Sequence, residues 1–107
     1  MVCRFTFDID EAVRAKTIHK GDLSLIIEEA IALAELATMD VIVLRPGRNT
    51  AGEDNNKLVD ATTVLLSAQA VAKIIKASKD RKISRNSVIN SAVNWWLNNA
   101  AHSMTRR

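Results

Sequence analysis

The chain has 107 residues and a formal net charge of +3, and 48% of its residues are hydrophobic but only 4% are aromatic. This length supports one small domain or two very small modules with a shared core, and the aliphatic composition favours packed helices with little sheet. No apolar run approaches the roughly 20 residues of a membrane span, and the single cysteine excludes an internal disulfide. We therefore expect a cytoplasmic protein that makes no membrane contact.

The first half of the chain predicts a strand followed by two helices. Residues 4–10 alternate polar and apolar side chains, which is the period of a half-buried strand. A short helix over residues 11–20 is interrupted by Gly21, and a longer helix with a broad apolar stripe is predicted over residues 23–38. Asp22 is suited to N-cap this second helix, because its carboxylate can accept N–H groups of the first turn. The core-facing residues of the strand are expected to be Phe5, Phe7 and Ile9.

The second half of the chain predicts the same order of elements. Residues 45–57 contain the only proline and two of the three glycines, and they predict a linker. Residues 58–66 are rich in threonine, valine and leucine and predict a second strand. Ser67 and Ser84 are suited to N-cap two further helices that are separated by a polar turn. Residues 101–107 are predicted to form a flexible tail.

The order strand, helix, helix therefore occurs twice, and we expect one copy at residues 1–44 and another at residues 58–100. One copy cannot fold alone, because its strand has no pairing partner and each helix has an apolar stripe to cover. Two copies on one chain are predicted to pair residues 4–9 with residues 61–66 as an antiparallel ribbon over four helices. The expected fold is α+β and mainly helical. The second helices align at Ile26 with Val88, Ile27 with Ile89, Ala30 with Ala92, and Ile31 with Val93.

Charge is distributed unevenly between the two halves. Residues 1–40 carry four basic and eight acidic side chains, whereas residues 61–107 carry eight basic side chains and one acidic one. A basic half predicts a polyanionic partner for one end of the molecule. The same residues would also occur on an ordinary solvent-exposed helix face, and composition alone leaves both interpretations open.

The most specific motif lies in the second copy. At residues 83–89 a hydrophobic residue is followed by Ser, Arg, two small polar residues and two aliphatic residues (Ile-Ser-Arg-Asn-Ser-Val-Ile). Together with residues 63–67 (Thr-Val-Leu-Leu-Ser) and the helix positions Val71, Ile74 and Ala77, this motif resembles the ribbon-helix-helix family of MetJ, Arc and CopG repressors. The resemblance covers residues 61–97, and the first copy matches in outline only.

The resemblance implies that the ribbon enters the major groove of double-stranded DNA, where each base pair presents a distinct pattern of donors and acceptors. It further implies that strand side chains read bases while the N-terminus of a second helix binds a phosphate. The residues implied on the outward face of the ribbon are Arg4, Thr6 and Asp8 in the first strand and Ala61, Thr63 and Leu65 in the second. Of these, the implied DNA contacts are Arg4, Thr6, Thr63 and Leu65. The residues implied at the phosphate contact are Lys82, Ser84, Arg85 and Asn86.

Several of these residues also have an ordinary structural role. Ser84 is an N-cap whatever else it does, and Thr6 and Thr63 are common strand formers. The tryptophan pair predicts one core anchor and one boundary residue, and Trp96 is the better core candidate because apolar residues flank it on its helix face. The sequence pattern therefore predicts where these residues lie in strands and helices, and the contacts with DNA are implied only by the resemblance.

Three functions are compatible with the sequence, none of them enzymatic and none with a cofactor or metal. The first is a transcriptional repressor, whose partners are duplex DNA and a possible second copy of the chain on the DNA. The second keeps the fold but acts as an accessory DNA-binding protein of plasmid conjugation, in a transfer-origin complex, or of plasmid partition. The third is an antitoxin-type protein-interaction module. Enzyme motifs are missing, because no glycine-rich phosphate loop occurs and the histidines and cysteine lack ligand-like spacing.

Overall fold

The computed structural model describes residues 1–17, 22–42 and 61–99. These residues form an α+β, mainly helical fold, as the sequence predicts. The predicted linker at residues 45–57 and the predicted tail at residues 101–107 lie outside the described residues. The elements in chain order are β1 (Val2–Cys3), α1 (Phe7–Arg14), α2 (Asp22–Leu33), β2 (Thr62–Thr63), α3 (Ala68–Arg81) and α4 (Arg85–Asn99).

The two strands pair with each other in antiparallel register within one chain, and Val2 lies opposite Thr63. The N–H of Val64 donates to the carbonyl of Met1 at 2.8 Å, and the nitrogen of Met1 donates to the carbonyl of Val64 at 2.9 Å. Cys3 and Val64 are buried, so the side chains that alternate with them point away from the core. The two halves of the chain thus pair as a two-stranded antiparallel sheet, but the first strand is Val2–Cys3 and not the predicted residues 4–9, and the second is only Thr62–Thr63.

The prediction of a strand over residues 4–10 is wrong, because a helix begins inside that segment. Thr6 N-caps α1, and its Oγ accepts the N–H of Ile9 at 3.5 Å. The helix begins four residues earlier than the predicted start at residue 11, and it ends at Arg14. In the helical conformation Ile9 and Val13 lie on the same face and are both buried, whereas Phe7 is exposed. Phe7 is 48% exposed and does not face the core as predicted.

The other three helices lie where the sequence predicts them, with some differences at their ends. The Oγ atoms of Ser67 and Ser84 accept the N–H of the third residue of α3 and α4, at 3.1 and 3.0 Å, so both predicted N-caps are confirmed. Asp22 is the first residue of α2 rather than the residue before it. The helix predicted to reach residue 38 ends at Leu33, because the chain turns there and places Met39 in the core.

The core is centred on α4, which packs against α1, α2 and α3. Trp96 is almost completely buried, whereas Trp95 is partly exposed, so the predicted division of roles between the two tryptophans is confirmed. The indole Nε1 of Trp96 donates to the Glu29 carboxylate at 2.7 Å, which satisfies the one polar atom of this side chain. All eight aliphatic residues that align the second helices in the sequence are buried.

The two copies are arranged as an approximate two-fold pair around the centre of the ribbon. Val2 and Thr63 pair with each other, and each is followed four residues later by an N-cap, Thr6 or Ser67. α2 packs against α4, while α1 contacts α4 and α3 contacts α2, so the first helix of each copy packs against the second helix of the other. The order strand, helix, helix thus occurs twice among the described elements, first as β1, α1 and α2 and then as β2, α3 and α4.

Candidate nucleic-acid interface

The outward face of the ribbon presents four exposed side chains. Val2 and Thr63 occupy its centre, and Arg4 and Leu65 lie two residues further along their chain segments. Val2 is 61% exposed and Leu65 is 83% exposed, although both are large and apolar. The structure thus brings together three of the predicted base-contacting residues and adds Val2, which the sequence analysis missed because it placed the first strand too late in the chain.

The chain segments beyond the ribbon are held by the second helix of the opposite copy. The Asn86 side chain of α4 accepts the N–H of Arg4 through Oδ1 at 2.7 Å and donates to the carbonyl of Arg4 through Nδ2 at 2.8 Å. At the equivalent place Ser24 of α2 accepts the N–H of Leu65 at 3.2 Å. These bonds fix the backbone of the two outer ribbon residues. The side chain of Asn86, which is predicted to contact phosphate, thus also holds the backbone of Arg4.

A second polar contact lies deeper, next to the start of α1. The Asn90 side chain is completely buried, and its Oδ1 accepts the N–H of Thr6 at 3.0 Å. Its Nδ2 donates to the carbonyls of Arg4 and Asn86, at 2.9 Å each. Thr6 itself is buried and its hydroxyl caps α1, so Thr6 does not lie on the outward face where the sequence analysis placed it.

The equivalent contact at the start of α3 uses a carboxylate. Glu28 of α2 accepts both the N–H of Ser67 and its hydroxyl, the latter at 3.1 Å. Both first-helix caps are thus bonded to the second helix of the opposite copy. A sequence signal for this symmetry exists, because each cap is followed by a buried apolar residue three and seven positions later. The matched residues are Thr6, Ile9 and Val13 with Ser67, Ala70 and Ile74.

The N-terminus of α4 lies beside the ribbon and carries exposed basic side chains. Ser84 caps the helix, while the N–H groups of Arg85 and Asn86 belong to the first turn, where a helix offers them no acceptor. Arg85 is exposed, and so is Lys82, which adopts the left-handed conformation (φ 56°, ψ 45°) after α3. The positive end of the helix dipole and two cations are therefore brought together, an arrangement that attracts anions.

The N-terminus of α2 has a different chemical character from that of α4. Asp22 begins the helix, and its negative charge stabilises the first turn but repels phosphate. Leu25 follows in the same turn and is 66% exposed. Of these two helix ends, the α4 end is the one where described residues combine the helix dipole with exposed positive side chains.

Comparison of the chain with protein-family models, with curated proteins and with solved structures yields no match. Within residues 1–17, 22–42 and 61–99, no cluster of three or more His, Cys, Asp or Glu side chains could hold a metal ion. In the same part of the chain no helix is both long and apolar enough to cross a membrane.

Some of the basic residues of the second half are engaged within the protein. Arg81 donates to the carbonyls of Leu36 at 2.8 Å and Met39 at 3.1 Å, so it fixes the turn that follows α2. Lys76 forms an exposed ion pair with Asp80 at 2.9 Å. The hydrogen bond that Lys76 donates to the Asp80 carboxylate, and the negative charge of that carboxylate, raise the pKa of Lys76. Counting basic residues in the sequence thus overestimates the charge available to a polyanion.

Proposed function

We propose that this chain is a tandem ribbon-helix-helix protein that binds double-stranded DNA, with the ribbon in the major groove, and that it acts as a transcriptional repressor. The observation that carries the proposal is the hydrogen bonding of Asn86 to Arg4. This contact joins the N-terminus of α4, with its exposed Arg85 and Lys82, to the outward face of the ribbon. A phosphate contact and a base-contacting surface then lie side by side, as DNA recognition requires.

The chemistry of the outward face suggests how bases would be read. A major groove about 12 Å wide accepts a two-stranded ribbon. In that position Arg4 is suited to the acceptor atoms of guanine, and Thr63 to any base edge through its hydroxyl. Val2 and Leu65 are suited to contact with the methyl group of thymine. Arg85, Lys82 and the first N–H groups of α4 would bind the adjacent phosphate.

The two halves of the proposed site are chemically different. Arg4 and Leu65 occupy equivalent places around the centre of the ribbon, yet one is a cation and the other an apolar side chain. The N-termini of α2 and α4 differ in the same sense, with Asp22 on one and Arg85 on the other. We therefore expect a non-palindromic binding site, unless two chains bind side by side and restore the symmetry.

One observation favours the alternative role, an accessory DNA-binding protein of plasmid conjugation or partition. Two of the four outward ribbon side chains, Val2 and Leu65, are apolar and form no hydrogen bonds with bases. Recognition would then depend more on the shape and deformability of the duplex than on base edges. Such binding is sufficient for an architectural accessory that organises DNA for other proteins.

The test of DNA binding is a gel shift with random duplex DNA, followed by selection and sequencing of the bound molecules at several salt concentrations. Affinity should fall with salt with a log–log slope of about −0.9 for each phosphate neutralised. Arg85→Ala should weaken binding to all duplexes alike and flatten this slope by roughly one unit. Arg14→Ala is the matched control, since Arg14 is also exposed but lies on α1 in an ion pair with Asp10.

Base reading is tested separately by Thr63→Val, which removes the hydroxyl and keeps the shape of the side chain. Loss of a good base contact should change the preference at one position by about 1–3 kcal/mol. Identical selected sequences for the variant and the wild type would favour the accessory role over the repressor. The absence of binding to any duplex at low salt would reject both.

A further inference from the structure

The outer faces of α1 and α3 carry opposite charges. On α1, the exposed residues Phe7, Asp8 and Glu11 form what we call the acidic patch. Asp10 of the same helix is already paired with Arg14 at 2.7 Å, so Asp8 and Glu11 carry the charge of the patch. On α3, three exposed lysines spaced three residues apart form what we call the lysine row. Its members are Lys73, Lys76 and Lys79; Lys76 is already paired with Asp80 at 2.9 Å, so Lys73 and Lys79 carry the charge of the row.

These two faces occupy equivalent places in the molecule. α1 and α3 each follow an N-cap at the same distance from the ribbon centre, and each packs against the second helix of the opposite copy. If this face were a DNA contact in both copies, the acidic patch would lie against phosphates and would be repelled by them. Opposite charges at equivalent places are better suited to meet each other between two molecules.

We propose that neighbouring copies of this chain associate head to tail, with the acidic patch of one copy on the lysine row of the next. The contact is heterologous, because the two surfaces differ, and it can therefore extend along a row of copies. The form of this association on DNA rests on the proposed function, whereas the contact between copies does not. The partner is a second copy because one chain carries both complementary surfaces.

The details of the two surfaces also match in shape. Phe7 is 48% exposed at the start of α1, beside the acidic residues. Ala68 and Ala72 are small and exposed, and they precede Lys76 on α3 at intervals of four residues, which places them on one face. The two small alanines leave room for the ring of Phe7 from the neighbouring copy. The aliphatic stems of the lysine row can then cover the edge of the ring while the ammonium groups reach the carboxylates of the acidic patch.

The contact is expected to be weak in free solution and measurable on DNA. Exposed ion pairs contribute little individually, so association should appear when DNA holds two copies next to each other and raises their effective concentration. Binding to two adjacent sites should then be cooperative by about tenfold relative to two separate single sites.

The first experiment uses a zero-length carbodiimide, which joins lysine amines directly to carboxylates. Equal amounts of ¹⁴N- and ¹⁵N-labelled protein are mixed, cross-linked with and without DNA, and digested for mass spectrometry. Mixed-isotope peptides that join Lys73, Lys76 or Lys79 to Asp8 or Glu11 are expected, because only contacts between molecules combine both labels. The absence of such peptides under both conditions would overturn the proposal.

The second experiment reverses the charges. One variant combines Asp8→Lys with Glu11→Lys, and the other combines Lys73→Glu with Lys79→Glu. Each variant alone should lose the cooperativity, and an equal mixture of the two should regain it, because every reversed surface then finds an oppositely charged one. Failure of the mixture to regain cooperativity would count against the contact.

The same measurements separate this inference from its rivals. If the lysine variant flattens the salt slope of single-site binding by two units, the lysine row contacts DNA phosphates and the inference is wrong. If no duplex is bound but mixed-isotope peptides form, the contact between copies stands and the proposed DNA-binding function fails.

Discussion

Replacing Asn90 with alanine is expected to destabilise the protein by about 2–4 kcal/mol. Asn90 is completely buried, and its Oδ1 is the acceptor for the buried N–H of Thr6 at 3.0 Å. Without this acceptor the N–H group is left unsatisfied, which costs about 1–3 kcal/mol. The loss also removes a hydrogen bond that joins α4 to Thr6, the N-cap of α1, so the start of α1 is expected to loosen.

The two bonds that Asn90 donates add less to this total. The carbonyl of Arg4 keeps its bond from Asn86, and the carbonyl of Asn86 is a helix acceptor with a backbone partner one turn later. We therefore assign about 1 kcal/mol to these two bonds together. A loss of this total size is a large part of the 5–15 kcal/mol that stabilises a typical domain.

The measurement is urea denaturation followed by tryptophan fluorescence, with the slope m checked for constancy. Asn98→Ala is the matched control, because Asn98 lies on the same helix but is exposed. The control also gains the helix propensity of alanine, so the difference between the two variants isolates the buried contacts. A difference of less than about 0.5 kcal/mol would refute the reasoning, since surface substitutions vary by that amount.

Three further outcomes follow from other described contacts. Burial raises the pKa of the Cys3 thiol from 9.0 to about 11, so the unfolded chain loses this proton at a lower pH than the folded one. The free energy of unfolding should therefore fall as the pH rises from 9 to 11. Cys3→Ala should flatten this fall when denaturation is measured as a function of pH. Arg81→Met removes the hydrogen bonds that the charged guanidinium donates to the carbonyls of Leu36 and Met39. Urea denaturation should show a free energy of unfolding lower by about 2–3 kcal/mol. A decrease below 0.5 kcal/mol, roughly that of a surface substitution, would contradict this role of Arg81. Lys82→Gly should raise the free energy of unfolding by about 0.5–1 kcal/mol, because glycine adopts the left-handed conformation of this residue without steric cost. The same variant removes a positive charge from the interface, and an unchanged salt dependence of DNA binding would exclude Lys82 from the phosphate contact.

The second copy could be predicted from the sequence because its local signals agree. Ser67 and Ser84 precede apolar residues at helical spacing, and the helices they cap are 14 and 15 residues long. Such lengths give several turns in which periodicity identifies the buried face. The boundaries of α3 and α4 are therefore close to the predicted ones.

The first copy could not be predicted equally well, because its signals are ambiguous. Threonine favours strands and also caps helices, so Thr6 alone does not distinguish the two. α1 has only eight residues, and alternation over such a short segment fits either structure. The packing of Ile9 and Val13 against α4 decides in favour of the helix, and that contact is a tertiary one.

The polar contacts that position the candidate site were also beyond the sequence. Nothing in the spacing of Asn86 and Asn90 separates a side chain that bonds the ribbon segment from one that faces solvent. Their roles depend on the approach of Arg4 and Thr6, which are more than 80 positions away along the chain. The predicted outward residues Thr63 and Leu65 were found, since strand alternation carries that information by itself.

The pairing of β1 with β2 inside one polypeptide has a consequence for how the protein responds to dilution. A ribbon assembled from two separate chains exists only above a threshold concentration, since its folding and its association are one equilibrium. Here the partner strand is tethered, and the bonds between Met1 and Val64 form in a single molecule. The pairing of the two strands therefore does not require a second chain, and it forms at the same effective concentration however dilute the protein is.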